Sequence, residues 1–538
     1  MHRIENKADV LIIGGGIAGI VSAIELLKKN KTVIILDRDE VENFGGLAKE
    51  SFGGVFMVDS PIQKRNRIKD SVELAKSDWF SSAEFNNNAK YEKEWANYFI
   101  ENNREKVYNY LSRHSVSFFP VVHWVERGLF HPGNSLPRFH MVWGTGLGLI
   151  NSLLNSLKGI TENSKFKSLF RHKVHSLHIQ DGKVKGVFAL NEADNTEHSF
   201  YADSVIIASG GMCGGDLSLL KKNWYEEWGS LPETILNGSH KYADGSSIKL
   251  ANQAGGVSAN LHLQWNYAAG VHHPRPKRDN HGLSLVPPKS ALWVNYQGKR
   301  FENPALITAF DTRYLVERIC KEPVKMSWQI MNYKIALKEL AVSGSEYNDA
   351  IRDKKIFAFL KNVLFGNKNL INDLMENCKD VVFADNVEEL VHKMNALQQN
   401  EMIDADDLKT QIEKFDNMLS PSKFRNDDQL RRIAQLRSYR GDRLRTCNFQ
   451  KILDKKAGPL IAIREFILSR KSLGGCVTNL KSQVLDKEHE PIPGLYAVGE
   501  AAGYGGGGIH GKRALEGTFL AACIVNAQNA ADAISRGY

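Results

Sequence analysis

The first strongly patterned part of the chain is a short apolar run that leads into glycines and then into an amphipathic stretch. The run, Val10 to Ile13, is followed by Gly14-Gly15-Gly16-Ile17-Ala18-Gly19. Beyond the glycines, apolar residues recur at helical spacing, namely Ile17, Ile20, Val21, Ile24 and Leu27. A second apolar run, Thr32 to Leu36, comes next. This pattern predicts a strand, a tight turn, a helix and a second strand.

The glycine turn has the spacing of a dinucleotide-binding motif, in which each glycine has its own steric reason. Gly14 permits the turn, Gly16 lets the backbone approach a pyrophosphate, and Gly19 lets the helix pack closely against the strand. Ala18 lies in the same turn, where the helix amides receive the phosphates. We therefore predict that these residues bind a dinucleotide.

Asp37 ends the second apolar run, 23 positions after Gly14. A dinucleotide fold places the acid for a ribose hydroxyl at this distance. Because an acid here disfavours a 2′-phosphate, FAD or NAD is favoured over NADP. We include the neighbouring Arg38 among the predicted cofactor contacts.

Four further segments carry a resemblance to a known family. They are Gly45-Gly46 with Ser51-Phe52-Gly53-Gly54, the stretch 202–211 (ADSVIIASGG), the stretch 243–246 (ADGS), and the stretch 492–500 (IPGLYAVGE). With these segments the chain resembles, over nearly its whole length, the fumarate reductase/succinate dehydrogenase flavoprotein superfamily, which includes 3-ketosteroid dehydrogenases. The resemblance implies an α/β fold in which a Rossmann-like FAD-binding domain carries an inserted α+β capping domain for the substrate.

The resemblance also implies where FAD is held. The implied contacts are Gly45, Gly46, Ser51, Gly53 and Gly54 beside the pyrophosphate and flavin, the backbone of Val174 at the adenine, Ala208, Ser209 and Gly210 closing the domain on the cofactor, Asp244 near the isoalloxazine, Gly499 and Glu500 at the ribityl chain, and Ala514, Leu515 and Gly517 before the last helix. Leu47 occupies the place of the histidine to which some members attach FAD, so we expect noncovalent FAD.

The domain organisation follows from the same reasoning. We expect the first part of the FAD-binding domain at 1–262, the capping domain at 263–440, and the return segment of the FAD-binding domain at 441–538. Within the cap, a strand at 291–296 and amphipathic helices at 387–397 and 408–417 are predicted from their apolar spacing.

The chemistry expected at a flavin decides which side chains are candidates for catalysis. Desaturation next to a carbonyl needs a base for the α proton and donors for the carbonyl oxygen, while hydride leaves the β carbon. The glycine-rich loop before the last helix supplies Tyr504, His510 and Arg513, and the returning chain supplies Arg464. The alternative for each loop residue is contact with FAD or with neighbouring backbone, and for Arg464 a surface ion pair.

This loop departs from both family patterns. Fumarate reductases have His-Gly-x-Asn-Arg-Leu-Gly-Gly here, which sets Arg513 at the Asn and Ala514 at the Arg that grips the substrate carboxylate. Pro304 also replaces their proton-relaying acid. In ketosteroid dehydrogenases a glycine supplies a carbonyl-binding amide and a tyrosine lies four residues earlier. Gly517 matches that glycine, whereas Arg513 stands at the tyrosine.

The function predicted from these residues is that of an FAD-dependent dehydrogenase acting on a CH–CH bond next to a carbonyl, in the manner of 3-ketosteroid dehydrogenases. Two alternatives stay open. One is a fumarate or other dicarboxylate reductase, and the other is a flavin-binding electron-transfer subunit that turns over no small molecule. The expected partners are a carbonyl-containing small molecule and an unidentified electron acceptor.

Composition narrows the class without changing this prediction. The 538 residues are 42% hydrophobic and 24% charged, which excludes disordered and fibrous classes. The net charge of +9 is scattered, as expected of a solvated basic surface or of one that attracts anionic substrates. The six cysteines include no C-x-x-C pair, so no metal site is expected. We expect a cytoplasmic protein without a secretory signal, a membrane span or a nucleic-acid partner, and leave peripheral membrane contact open.

Overall fold

The computed structural model describes residues 6–160, 165–419 and 426–537. They divide into two compact units. Unit 1 comprises Met1–Trp224, Ser239–Trp265 and Lys471–Tyr538, and unit 2 comprises Tyr225–Gly238 and Asn266–Arg470.

The strands are β1 (Lys7–Ile13), β2 (Val33–Leu36), β3 (Gly54–Phe56), β4 (Phe118–His123), β5 (Phe139–Val142), β6 (Phe166–Leu169), β7 (His172–Gln180), β8 (Lys183–Asn191), β9 (Thr196–Ile207), β10 (Ile235–Asn237), β11 (Ser258–Ala259), β12 (Gln264–His272), β13 (Gly282–Val286), β14 (Leu292–Asn295), β15 (Met326–Asn332), β16 (Ala341–Val342), β17 (Val381–Ala384), β18 (Leu460–Ser472), β19 (Gly475–Cys476), β20 (Gln483–Leu485) and β21 (Pro491–Ala497).

The α-helices are α1 (Ile17–Lys28), α2 (Leu47–Glu50), α3 (Pro61–Arg65), α4 (Val72–Ala83), α5 (Lys90–Asn103), α6 (Tyr110–Arg113), α7 (Thr145–Ile160), α8 (Ser218–Lys222), α9 (Ser246–Gln253), α10 (Thr312–Cys320), α11 (Tyr333–Glu339), α12 (Asp349–Arg352), α13 (Ile356–Phe365), α14 (Lys368–Asn377), α15 (Val387–Gln398), α16 (Ala405–Met418), α17 (Asp428–Ser438), α18 (Arg440–Arg443) and α19 (Thr518–Ser535).

The main sheet of unit 1 has the strand order β20-β21-β9-β1-β2-β6. The strands from β21 to β6 run parallel, as the strand–turn–helix–strand pattern predicts. The hairpin of β7 and β8, turning at Asp181 and Gly182, continues the sheet against the first half of β9. Helix α1 is buried over most of its length, because apolar residues occupy nearly all of its positions.

The main sheet of unit 2 has the order β14-β15-β18-β12-β13-β16, and β10 and β17 also pair with β18. Its apolar residues form one core with the helices of the unit, including α15 and α16. These two helices and β14 lie where the amphipathic spacing predicts them. The two units together give an α/β protein in which a Rossmann-like unit carries a second, inserted unit, which confirms the predicted fold class.

The boundaries of the units differ from the predicted domain boundaries in three places, of which the shift from 262 to Trp265 is the smallest. The segment Tyr225–Gly238 belongs to unit 2, because β10 pairs in parallel with β18. The return to unit 1 occurs at Lys471 rather than near residue 441, because β18 lies in the middle of the second sheet. Neither pairing leaves a local signal in the sequence, since partners in each case are far apart along the chain.

Candidate active site

The carboxyl ends of the parallel strands of unit 1 meet at one edge of the sheet. Ile13 pairs with both Leu36 and Ile207, and Ile207 pairs with Ala497. Strands β1, β2, β9 and β21 therefore end at the same level. Ligands of open α/β sheets bind outside such an edge. The segments that begin there contain most of the predicted cofactor residues.

The glycine turn after β1 combines tight packing with open space. A Cβ on Gly14, whose φ is +104°, would lie 2.6 Å from the Ala208 carbonyl oxygen, and a Cβ on Gly19 would lie 2.1 Å from the Gly14 carbonyl oxygen. A Cβ on Gly16 would meet nothing within 4 Å, and Gly16 caps α1. Two glycines are needed for packing, and the third faces space at a helix N-terminus, where a pyrophosphate fits.

Gly45 and Gly46 lie beside this open space. The Gly45 amide donates to the Gly15 carbonyl at 2.9 Å, and a Cβ on Gly46 would lie 3.5 Å from Gly16 Cα. Both residues have positive φ, +113° and +55°. The structure thus brings the two predicted glycine segments together around Gly16.

The rest of the second glycine segment is packed against the chain around α7. A Cβ on Gly53 would lie 2.6 Å from the Thr145 carbonyl carbon, and one on Gly54 would lie 1.8 Å from the Phe139 ring. The Ser51 hydroxyl donates to the backbone three residues earlier at 2.7 Å. Packing explains the two glycines, and the cofactor contacts of all three residues stay predictions.

The Asp37 carboxylate is held by backbone amides at the same edge. Its Oδ2 accepts from Gly15 N at 2.6 Å, and its Oδ1 accepts from Asp39 N at 2.8 Å. The side chain lies next to the glycine turn and is half-buried. This is where the fold presents an acceptor to a ribose hydroxyl.

Arg38 and Asp244, both predicted cofactor contacts, are joined by an ion pair. Arg38 Nη1 lies 3.3 Å from Asp244 Oδ2, and its Nη2 lies 2.9 Å from Glu192 Oε1. The guanidinium also stacks on the Tyr242 ring at 4.3 Å. The ion pair thereby joins Arg38 and Asp244, which are 206 positions apart in the chain, next to the end of β2.

A neighbouring charge cluster was not found by sequence reasoning. Asp39 is buried and lies 2.9 Å from Lys241 Nζ and 3.1 Å from His240 Nε2. Burial alone would raise the pKa of Asp39, but hydrogen bonds from His240, Asn43 and Lys241 outweigh it and hold the pKa well below its usual range. The carboxylate therefore stays ionised at neutral pH. No local motif signals this cluster, because its members lie about 200 residues apart.

The turn after β9 approaches the turn after β21. A Cβ on Gly211 would lie 2.0 Å from Ser472 Oγ and 2.3 Å from Glu500 Oε1, whereas one on Gly210 would meet nothing within 4 Å. The Ala208 amide donates to the Ile13 carbonyl at 2.8 Å and so continues the sheet. The predicted segment 208–210 therefore has open space at Gly210, and Glu500 lies beside the next residue, Gly211.

Glu500 lies in a 3-10 turn that follows β21, and its carboxylate is held by Ser472. Its Oε1 accepts from Ser472 N at 2.9 Å and from Ser472 Oγ at 3.1 Å. Burial raises the pKa of Glu500, although the Ser472 amide and the Lys471 charge oppose that rise. Burial and the neighbouring Glu500 also raise the pKa of Tyr504, whose hydroxyl interacts with this carboxylate. Tyr504 is therefore a neutral phenol at pH 7.

His510 is fully buried within a cage of aromatic rings. Its ring stacks on Trp79 at 5.5 Å and contacts Tyr504 at 5.1 Å and Phe519 at 4.9 Å. Nε2 lies 2.9 Å from Thr518 Oγ1, and Nδ1 has no hydrogen-bond partner in the described residues. Burial, assisted by the Lys471 charge, lowers the pKa of His510 to about 3. The imidazole is therefore neutral at pH 7.

Gly517 connects the loop to the 18-residue helix α19. Its φ is +91°, a Cβ on it would lie 2.8 Å from Phe56 N, and its carbonyl accepts from that amide at 2.9 Å. Its own amide donates no hydrogen bond to the described residues. Ala514 and Leu515 are buried beside it. The amide and the positive end of the helix are therefore available to an electron-rich oxygen.

The two candidate arginines lie in different units and have different partners. Arg513 of unit 1 forms an ion pair with Glu84. Arg464 of unit 2 contacts the fully buried Asp380, with Nη2 3.0 Å from Oδ1, and His272 Nδ1 lies 2.8 Å from the other oxygen of Asp380. This network ties β12 and β18 to the chain before β17. It favours the ion-pair alternative for Arg464, with the pair largely buried rather than at the surface.

Val174 lies in β7, opposite Ala189 of β8, and its side chain belongs to the core of unit 1. Its backbone is thus fixed within the sheet. The adenine contact implied for it stays a prediction.

The donor set and the space at this edge fit FAD. Added Cβ atoms on Gly16 and Gly210 would meet nothing, whereas those on Gly14, Gly19 and Gly211 would collide with neighbours. The buried Ser209 hydroxyl also has no hydrogen-bond partner in the described part of the chain. Fold and site together define a dinucleotide-binding α/β protein whose site accommodates FAD.

Comparison with known proteins is consistent with this class. Residues 9–520 match the FAD binding domain family, and the chain belongs to that family. It is 36% identical to a KsdD-like steroid dehydrogenase of Mycobacterium tuberculosis over 97% of this chain and 95% of the relative. It is also 23% identical to fumarate reductase 1 of Saccharomyces cerevisiae over 98% of both chains.

Among solved structures, 3-ketosteroid Δ1-dehydrogenase from Sterolibacterium denitrificans, in complex with 1,4-androstadiene-3,17-dione, shares the fold. The TM-score is 0.72 at 15% identity, covering 99% of this chain and all of that one. FAD is therefore the cofactor, and the chain is an FAD-dependent dehydrogenase, as the sequence predicts. The roles of the individual site residues and the noncovalent attachment stay predictions.

Proposed function

We propose that this chain dehydrogenates a CH–CH bond next to the carbonyl of a 3-ketosteroid-like substrate. An α proton leaves to a base and hydride leaves from the β carbon, which yields an unsaturated ketone. FAD, when bound, supplies the hydride acceptor. The observation that carries the substrate class is the 36% identity to a KsdD-like steroid dehydrogenase along 97% of the chain.

The end of the glycine-rich loop supports polarisation of the substrate carbonyl. The Gly517 amide donates to no acceptor within the described residues and stands at the positive end of α19. Donors aimed at an oxygen where negative charge develops are among the largest contributions to catalysis. We assign the Gly517 amide as one carbonyl donor.

Arg513 is proposed as the second donor to that oxygen. It stands four residues before Gly517, where ketosteroid dehydrogenases have a tyrosine. A guanidinium is a stronger donor than a phenol because its hydrogen bonds are charge-assisted. Glu84 is an ion-pair partner that would fix its direction.

His510 and Tyr504 are proposed as positioning residues. Since His510 is neutral and contacts Thr518, it can hold the first residue of α19 in place without acting as a charged acid. Tyr504 stands between Glu500 and the His510 ring and fixes the turn after β21. The lowered pKa of His510 also makes it a weak base.

Fumarate reduction is the second candidate, because a fumarate reductase is 23% identical along nearly the whole chain. The residue at the carboxylate-gripping position is Ala514, which is buried and carries no charge. Pro304 offers no proton at the relay position. Both differences favour the ketosteroid alternative.

Anaerobic titration of the flavin tests the proposal. A panel of 3-ketosteroids, an enoyl-type substrate and succinate would be added to the purified holoenzyme while the flavin absorbance is followed. Bleaching by a ketosteroid, with an unsaturated ketone as product, is expected. Bleaching only by succinate, or reoxidation of reduced flavin by fumarate, would move the assignment to dicarboxylates.

Variants of Arg513 test its assigned role in the same reaction. Arg513→Leu is expected to lower kcat/KM by about 10²- to 10³-fold, as for loss of one oxyanion donor, and Arg513→Lys by less. Arg113→Leu is the matched control, because Arg113 forms an exposed ion pair with Glu105 in the same unit. An unchanged kcat/KM in Arg513→Leu would remove Arg513 from the site.

A further inference from the structure

The surface of unit 2 carries a helix whose outer face is apolar. In α13, Ile356, Phe357, Leu360, Leu364 and Phe365 are all exposed. Phe357 is 86% exposed, Phe365 66% and Leu364 62%. Five of the fourteen exposed large hydrophobic residues of the described chain thus fall within ten consecutive positions. A contiguous patch of several large, exposed apolar side chains marks a binding surface.

The spacing turns these side chains into one stripe. Ile356, Leu360 and Leu364 are four residues apart, and Phe357 stands three before Leu360, so all four project from the same side of the helix. Phe365 extends the stripe at the last residue of the helix. A stripe of this kind would normally face a core, but here it faces outward.

The opposite side of α13 is the one that holds the helix to unit 2. Lys338 Nζ, on α11, donates to the Val363 carbonyl at 3.3 Å. A Cβ on Gly366, just after the helix, would lie 2.1 Å from the Leu337 carbonyl oxygen. These contacts hold the helix to unit 2, and the apolar stripe is exposed to solvent.

Basic residues surround the stripe. Arg352, Lys354, Lys355, Lys361 and Lys368 lie within or next to α13, against the acids Asp349 and Asp353 in the same stretch. Five basic and two acidic residues give 349–368 a formal charge of +3. Asp353 is already paired with Arg352 at 2.7 Å. Lys354, Lys355, Lys361 and Lys368 are exposed.

We propose that α13 is an interfacial membrane anchor that lays its apolar stripe into the headgroup region of an anionic bilayer. An apolar face of Phe and Leu with lysines at its border is the pattern of helices that lie in the plane of a membrane surface. The lysines then face anionic headgroups, and the net charge of +9 of the chain acts in the same direction.

The charge pattern disfavours a second copy of the chain as the occupant. A twofold interface places the same patch against itself, which would bring Lys355 and Lys361 of the two copies close together. An anionic surface neutralises these charges instead of opposing them. No helix in residues 6–160, 165–419 and 426–537 combines the length and apolar character needed to traverse a bilayer.

Flotation with lipid vesicles tests the anchor on the full-length holoenzyme. The probes are vesicles of phosphatidylcholine alone and of phosphatidylcholine mixed with phosphatidylglycerol. The protein is expected to float with the mixed vesicles and to be released by high salt. The double variant Phe357→Ser/Leu364→Ser should lower partitioning about tenfold or more, and Lys361→Glu severalfold.

The matched control is Phe130→Ser, because Phe130 is 70% exposed but lies in unit 1. It should float like the unchanged protein. Retained flavin absorbance in all variants would show that they are folded. This is expected because the substituted residues are exposed. A second measurement labels Phe357→Cys with an environment-sensitive dye. The described cysteines are buried, so the new thiol is the reactive one. A blue shift on mixed vesicles is expected.

Three results would overturn the proposal. They are failure of the protein to float with anionic vesicles, equal flotation of Phe357→Ser/Leu364→Ser, and a dimer in solution that this double variant converts to a monomer. The last result would assign α13 to self-association.

Discussion

Replacing Gly16 with alanine separates the fold of unit 1 from its ability to bind FAD. Gly16 has φ −72° and ψ −178°, which alanine adopts without strain, and its added Cβ would meet no protein atom within 4 Å. The methyl group would instead occupy the space assigned to the pyrophosphate. The variant should therefore fold normally and bind FAD poorly.

The structure sets the magnitude of both effects. Without strain or collision, Gly16→Ala should leave the free energy of unfolding of the apoprotein unchanged or raise it by about 0.5 kcal/mol, because alanine restricts the unfolded chain. Displacing the pyrophosphate from the helix amides removes at least one hydrogen bond to a charged group, worth about 1.5–3 kcal/mol. The Kd for FAD should then rise roughly 10- to 100-fold.

The assay is a titration of apoprotein with FAD, followed by flavin fluorescence, together with urea unfolding of the apoprotein. Gly159→Ala is the control for FAD binding, because Gly159 lies near the end of α7 with nothing within 4 Å of an added Cβ, so the Kd should not change. Gly19→Ala is the opposite control, since its Cβ would lie 2.1 Å from the Gly14 carbonyl. It should destabilise the apoprotein by about 1–3 kcal/mol.

Two outcomes would refute this reasoning. If Gly16→Ala binds FAD with unchanged Kd, the pyrophosphate does not approach Gly16. If it destabilises the apoprotein as much as Gly19→Ala does, then the space at Gly16 is required for packing rather than for a ligand.

Three further predictions concern buried ionisable groups. The pKa of His510, lowered to about 3 by burial, means that the native state binds fewer protons than the unfolded state below about pH 6.5. Stability is therefore lost as the pH falls towards 3, and at pH 4.5 the free energy of unfolding should be about 2–3 kcal/mol lower than at pH 7. Urea unfolding at pH 7 and pH 4.5 should show that His510→Gln removes this loss. An unchanged pH dependence in the variant would contradict the prediction. Glu500→Gln keeps an acceptor for Ser472 and should change the Kd for FAD only severalfold, whereas Glu500→Ala should raise it about tenfold in the same titration; equal Kd values would exclude a contact between Glu500 and FAD. Asp380→Asn leaves Arg464 and His272 without their buried counter-charge and should cost about 3–5 kcal/mol in chemical denaturation, and a loss under 1 kcal/mol would show that the network is not structural.

The local pattern was sufficient to predict the first part of unit 1. Apolar runs ending in glycine or acid mark β1 and β2, and because parallel strands end at one edge, the segments after them had to converge there. The positive φ of Gly14 and the close packing of Gly19 are steric properties of the motif itself. Helices α15 and α16 followed in the same way from amphipathic spacing.

What the sequence could not provide is contact between distant residues. The sequence left Arg464 either as a substrate donor or as a surface ion-pair arginine, and it could not identify the partner, because Asp380 lies 84 positions earlier on another segment. Arg513 and Glu84 are 429 positions apart. Such pairs depend on the register of strands and on the angles at which helices pack. The sequence around each partner shows no periodicity or motif that would indicate the pair. The predicted fold was therefore more complete than the predicted catalytic set.

The division of unit 1 into three chain segments has a consequence for biosynthesis. Strand β9 needs β21 as a parallel neighbour, but residues 491–497 leave the ribosome only after all of unit 2 has been made. Until then the nascent chain carries the apolar strand β9 with one edge unpaired along Val205–Ile207, and such an edge can pair with other chains. We expect chains truncated before Pro491 to aggregate or to remain bound to chaperones. The cofactor domain can therefore close only after the last tenth of the polypeptide has been synthesised.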